Sequence, residues 1–102
     1  MKIYICFTKD YIPDNMLNRC IDIVEGIHDK RYHIIDYPSL YDIMNCDRSA
    51  VSFGTMACKV IESDIVIFLD KTYKTDRTAI TLYEYAKLKN KTIEILSIKE
   101  DK

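Results

Sequence analysis

Apolar positions along the chain switch between two periods, and each switch marks the edge of an element. Ile3 to Phe7 is an unbroken β-branched and aromatic run passing directly into polar Thr8-Lys9-Asp10, the pattern of a buried strand feeding a loop at its carboxyl end. Pro13-Asp14 then supplies a helix start. Leu17, Cys20, Ile21, Val24, Ile27 and His28 follow at spacings of three and four, which predicts one packed helical stripe with Asn18, Arg19, Asp22 and Glu25 turned away. Tyr32 to Tyr37 reads as a short second strand, stopped by Pro38, whose ring holds the residue before it extended. The stretch from Ser39 to Arg48 is polar and irregular, with Leu40, Tyr41, Ile43 and Met44 able to make a short helix.

From Ala50 onward, Ala50, Phe53, Gly54, Ala57, Val60 and Ile61 fit one helical face ending at Glu62-Ser63. Asp64 to Asp70 is apolar in both parities, so it predicts a central strand covered on both faces of its sheet. Lys71 to Arg77 has no apolar period and reads as a loop. Asp76 stands where an N-cap belongs, before a helix that runs through Ala79, Leu82, Tyr83 and Ala86 to about Asn90. Lys91 to Ser97 alternates more openly, as a strand nearer an edge does, and the charged tail Lys99 to Lys102 follows. Strands alternating with helices in this order predict an α/β protein: a small, doubly wound, mainly parallel sheet of about four to five strands with helices on both faces. At 102 residues the chain holds one such domain, spanning 1–102.

Composition narrows the function classes. The chain is 48% hydrophobic and 30% charged with only 2 Gly and 2 Pro, which excludes a disordered or low-complexity polypeptide. Lys and Arg number 15 against 16 Asp and Glu, so the basic surplus that phosphate-backbone binding needs is missing and nucleic acid is not expected as a partner. Cys6, Cys20, Cys46 and Cys58 contain no C-x-x-C pair and stand at no metal-ligand spacing from His28 or His33, so no metal site is expected. Three of the four, Cys6, Cys20 and Cys58, lie in hydrophobic patterns, and all four read as reduced core or boundary thiols. The N-terminal apolar run is too short for a secretion signal and no segment is long enough to span a bilayer, which predicts a cytoplasmic protein without a membrane partner.

In a doubly wound sheet, ligands enter the crevice outside the carboxyl ends of the strands where the strand order reverses. That rule nominates Phe7, Thr8, Lys9 and Asp10 after the first strand, Asp70 to Asp76 after the central one, and the start of the helix near Thr78. Glycine-rich phosphate loops of the dinucleotide or P-loop type are absent, so no cofactor held by them is expected. His28 sits on an apolar stripe and reads as a boundary core residue, not as part of a nucleophile system.

The segments Lys2-Ile3-Tyr4-Ile5, Glu62-Ser63-Asp64 through Leu69-Asp70, and Asp76-Arg77-Thr78-Ala79-Ile80-Thr81-Leu82-Tyr83-Glu84-Tyr85-Ala86-Lys87 together resemble the nucleoside 2-deoxyribosyltransferase-like superfamily. The resemblance covers nearly the whole chain. It implies a flavodoxin-like sheet, a nucleoside or nucleotide ligand, and a homo-oligomer that completes the site. It carries Asp70 and Asp76 over as site positions. Where the family has a glycine two after Asp76 this chain has Thr78, where it has its nucleophilic glutamate this chain has Leu82, and a further family aspartate corresponds to Met56. Glu84, the acid nearest to that position, is turned about 200° around the helix from Leu82. A second resemblance, to TIR domains, rests on Ile5 to Asp10 and on Ser63-Asp64 through Tyr73-Lys74-Thr75-Asp76, and implies a NAD-related ligand.

The expectation is therefore a binder of a nucleoside, nucleotide or nucleotide-derived small molecule without the family's transferase activity. Phe7 or Tyr73 would stack on a base, Asp70 or Asp76 would accept from ribose hydroxyls, and the helix beginning near Thr78 would face any phosphate. Two alternatives stand beside it: an active N-glycosidic transferase or hydrolase with Glu84 as catalytic residue, and a TIR-like or purely protein-interaction accessory subunit using the chain's 8 tyrosines.

Overall fold

A computed structural model of the chain describes residues 1–8, 16–28, 33–70 and 73–97, without the side chains of Met16 and Leu17. Eight elements follow in the order β1 (Lys2–Cys6), α1 (Met16–Ile27), β2 (Ile34–Asp36), α2 (Leu40–Asn45), α3 (Ala50–Glu62), β3 (Ile65–Leu69), α4 (Arg77–Leu88) and β4 (Thr92–Leu96). The four strands are parallel in the spatial order β2-β1-β3-β4. This is the predicted α/β architecture, a small flavodoxin-like sheet with helices on both faces. The helix start at Pro13-Asp14, the polar residues Lys9-Asp10, Tyr32 and the tail from Lys99 lie outside the described residues.

Alternation along the strands builds two cores. Ile3, Ile5 and Phe7 of the first strand region join Ile65, Ile67 and Leu69 on the face that receives Cys20 and Val24 of α1. Tyr4 and Cys6 join Val66 and Phe68 on the other face, against Met56 and Val60 of α3 and Leu82 and Ala86 of α4. All five residues of β3 are buried, as a run apolar in both parities requires. Asp76 caps α4, and Asn90 closes it with φ 57°, giving the paired bonds from Lys91 N to Ala86 O and from Asn90 N to Lys87 O that end a helix in a left-handed residue. Among the described residues no helix is long and apolar enough to cross a membrane.

Three expectations shift. Among the described residues the second strand covers Ile34–Asp36, which pair along Lys2 to Tyr4 of β1, and His33 and Tyr37 lie outside it. In α1 the contact line is Cys20 and Val24, with His28 beyond the helix end bonded through Nε2 to Glu94 Oε1 of β4 at 2.9 Å. Ile27, turned about 60° from Val24, is 64% exposed. In α3 the buried line is Ser52, Met56 and Val60, with Phe53 and Ala57 only half-buried and Ala50 and Ile61 exposed. α3 packs on α2, α4 and β1 together, and that combined contact centres its buried face about one residue away from the middle of the predicted stripe while keeping Val60 inside.

The thiols also divide differently. Cys6, Cys20 and Cys46 are buried, and Cys58, on the outer side of the re-phased α3, is exposed. Burial pushes the Cys20 thiol up to about 11 and the Cys6 thiol further. In the folded protein a thiol reagent at pH 8 should label Cys58 alone, and the other three only after denaturant is added. Mass spectrometry of the labelled protein reads this directly, and rapid modification of Cys6 or Cys46 in the native state would contradict the packing.

Candidate functional site

The chain leaves β1 for β2 on one side and returns through α3 to β3 on the other, so the strand order reverses between β1 and β3. Helices returning between parallel strands run opposite to them. The starts of α3 and α4 therefore lie at the same sheet edge as the carboxyl ends of β1 and β3, together with Thr8, Asp70 and Ser52.

Thr8 follows β1 after a tight bend in which Phe7 N donates to Ile5 O at 3.1 Å. It has no exposed surface, and its Oγ1 has no hydrogen-bond partner. Ser52, in the first turn of α3, is 1% exposed, and its Oγ is likewise unpartnered. At the start of α4, Asp76 is 4% exposed and its Oδ1 accepts from Thr78 N at 2.9 Å and Ala79 N at 3.2 Å. Thr78 is buried beside it. Beneath this edge the Cys6 thiol is raised first by burial, then by the Cys46 thiol and the Asp76 carboxylate. It is a neutral thiol at pH 7 and no nucleophile.

The other candidate residues point away from this edge or are already engaged there. Phe7 is buried in the α1-side core, so its ring packs against aliphatic side chains and offers no face to a base. Asp70 accepts from Ser97 Oγ, and its backbone N donates to Leu96 O at 3.0 Å, which ties it toward β4. Tyr73 is half-buried with its ring centroid 5.2 Å from that of Tyr83 and Lys74 Nζ 5.4 Å away. Glu84 is exposed two turns down α4, while Leu82, on the packed side of that helix, has no exposed surface. The fold thus brings Thr8, Asp76 and Thr78 to one edge and leaves Phe7 and Glu84 out of it.

Two polar groups were not singled out by the sequence. Ser52 lies off the apolar spacing of α3 and enters the interior only through the helix's rotation. Tyr4 stands inside an apolar strand run, and its buried hydroxyl has no partner; burial, then Cys6 and the carboxylates of Asp36 and Asp42, raises its phenol. A separate groove of about 270 Å³ opens at the opposite edge, between the end of α3 and the starts of β1 and β2. Lys59 spans it with its Nζ 3.2 Å from Asp36 Oδ2 and 4.0 Å from Glu62 Oε2, so these three side chains satisfy one another. Among the described residues no three His, Cys, Asp or Glu side chains gather as metal ligands.

The fold and this edge define the protein's class as a small parallel α/β protein of flavodoxin-like architecture. No protein-family model matches the chain, and no curated protein is significantly similar to it.

Proposed function

We propose that the protein binds a nucleoside, nucleotide or nucleotide-derived small molecule at the carboxyl edge of its sheet, and that it does so without the glycosyl-transfer chemistry of the superfamily it resembles. The observation that carries this reading is the pair of buried, unpartnered hydroxyls, Thr8 Oγ1 and Ser52 Oγ, at the edge where the strand order reverses. Burying a hydroxyl without a partner costs about 1–3 kcal/mol, so two at a binding edge are the mark of groups that a ligand completes. Against turnover stands Leu82: where the enzymes the chain resembles present an attacking carboxylate, this chain has an aliphatic side chain sealed in the core with Phe68 and Met56. The nearest acid, Glu84, faces solvent on the other side of the helix.

A thermal-shift panel of nucleosides, nucleoside mono- and diphosphates and NAD tests the reading. A ligand at a hundredfold its Kd adds about 2.7 kcal/mol to apparent stability, and at about 4–8 °C per kcal/mol for a domain of this size the melting point should rise by roughly 10 °C or more. An interaction subunit working through exposed side chains such as Tyr41 would gain nothing from any member of the panel. A flat response throughout would therefore end the small-molecule reading.

A further inference from the structure

We infer that the ligand carries an anionic phosphate and that this group sits at the start of α3, held by the hydroxyls of Ser52 and Thr8, and not at the start of α4. This deepens the reading above and rests on it, since the anion is taken as part of that ligand.

Both helices present their N-termini to the binding edge, and each N-terminus carries unsatisfied N–H groups and a partial positive charge. The two ends are not equivalent. At α4 the buried Asp76 carboxylate already occupies the position an anion would take, accepting from two of the free amides. A phosphate brought there would meet a fixed negative charge with little water to screen it.

At α3 the cap is neutral. Ser49 Oγ accepts from Ser52 N at 3.3 Å, and the first turn contains no acidic residue. The amides of Ala50 and Val51, the first two of the helix, have no intrahelical acceptor, so the positive end of this 13-residue helix is uncompensated by any carboxylate in its first turn.

The second observation is independent of the helix field. Side chains on a helix lean toward its N-terminus, so Ser52 Oγ, buried and unpartnered, is carried toward the start of α3. Thr8 Oγ1, equally buried and unpartnered, closes the end of β1, the strand on which α3 packs. Two hydroxyl donors and two backbone amides suit a tetrahedral oxyanion, which accepts several hydrogen bonds from different directions and needs no glycine-rich loop when side chains supply half of the donors. Because neither hydroxyl touches solvent, the edge must open for the anion to enter, and association should run below the diffusion limit.

The test uses three probes, a nucleoside, its 5′-phosphate and inorganic pyrophosphate, titrated calorimetrically against the wild-type chain, Ser52→Ala and Ser49→Asp. Aspartate caps a helix as well as serine, so Ser49→Asp keeps the fold while placing a carboxylate where the anion would sit. The 5′-phosphate should bind at least about tenfold tighter than the nucleoside, the loss expected when a hydrogen bond to a charged group is removed. Both variants should erase that advantage, and Ser49→Asp, which alters neither of the two buried hydroxyls, should leave nucleoside affinity within about threefold, less than 1 kcal/mol. Equal binding of nucleoside and 5′-phosphate to the wild type would overturn the anion site and keep the small-molecule reading. Pyrophosphate binding that Ser49→Asp abolishes, with no nucleoside of the panel bound, would uphold the anion site and end the nucleoside reading. If none of the three probes binds, both are wrong.

Discussion

Leu82→Glu should cost the protein most of its stability at neutral pH. Leu82 has no exposed surface and packs in one cluster with Tyr4, Cys6, Met56, Val60 and Phe68. Losing a buried leucine side chain costs about 2–5 kcal/mol. An ionised carboxylate at the same place adds a desolvation penalty, which in comparable sites raises a glutamate by up to about 3–5 pKa units at about 1.4 kcal/mol each. The sum, about 6–12 kcal/mol, is comparable with the whole stability of an ordinary domain, about 5–15 kcal/mol. The charge part has a definite sign with pH. The introduced carboxyl titrates near 4.3 when unfolded and higher when folded, so its penalty is absent below about pH 4 and grows as pH rises between the two values.

Leu82→Gln, which cannot ionise, controls for every other titrating group. Denaturant midpoints should show Leu82→Glu close to Leu82→Gln at pH 4 and far below it at pH 7. A Leu82→Glu protein as stable as wild type at pH 7 would mean that position 82 opens onto a solvated pocket. The case against transferase chemistry would then fall.

Thr8→Val should make the free protein more stable and the liganded one less so. Valine keeps the shape of threonine and removes a hydroxyl that has lost its water and gained no partner, a relief of about 1–3 kcal/mol. The melting point of the free protein should climb by about 4–8 °C for each kcal/mol, while the increment given by a nucleotide shrinks. Ser52→Ala should behave alike with a smaller gain, since it also leaves a small void. Tyr4→Phe is the comparison that separates binding from packing. It too removes a buried unpartnered hydroxyl, but from a residue in the middle of β1, paired with Asp36 and Val66, and not from the carboxyl end of the strand. It should stabilise the free protein and leave the ligand's increment unchanged. Opposed effects on free and bound states are the general signature of groups kept for function at the expense of stability. If Thr8→Val lowers the melting point of the free protein, the hydroxyl has a partner and the edge loses its main support.

The parts of this fold that could be read from the chain are those settled by local chemistry. β3 was readable because Ile65 to Leu69 is apolar in both parities, which only a strand covered on both faces accommodates. α4 was readable at both ends, from the Asp76 cap and from the close of its apolar stripe before Asn90. The edge that gathers Thr8, Asp76 and Thr78 followed from the βα order alone, since parallel strands place all their carboxyl ends together.

What escaped were the phases of helices and the facing of single side chains. In α3 two apolar arcs lie about 100° apart, one through Phe53, Ala57 and Ile61 and one through Met56 and Val60. The predicted stripe centres on the first and takes in Val60 of the second, and simultaneous packing on α2, α4 and β1 centres the buried face on the second. That rotation carries Ser52 into the interior and Cys58 out of it. Phe7 is a similar case: one residue beyond β1 it keeps the strand's alternation and turns into the α1 core, though its place in a loop suggested a ring open to ligand.

Sequence by itself determined the class of fold, the sheet edge at which Thr8, Asp76 and Thr78 meet, and the lack of a glycine-rich phosphate loop, because strand burial, helix capping and loop composition depend on residues near one another in the chain. Only the tertiary structure decided that Leu82 is sealed, that Ser52 and Thr8 are buried without partners, and that the start of α4 is already filled by a carboxylate while that of α3 is not. Those outcomes depend on which neighbouring surfaces each helix packs against, and such surfaces are brought together by the fold from segments distant in sequence.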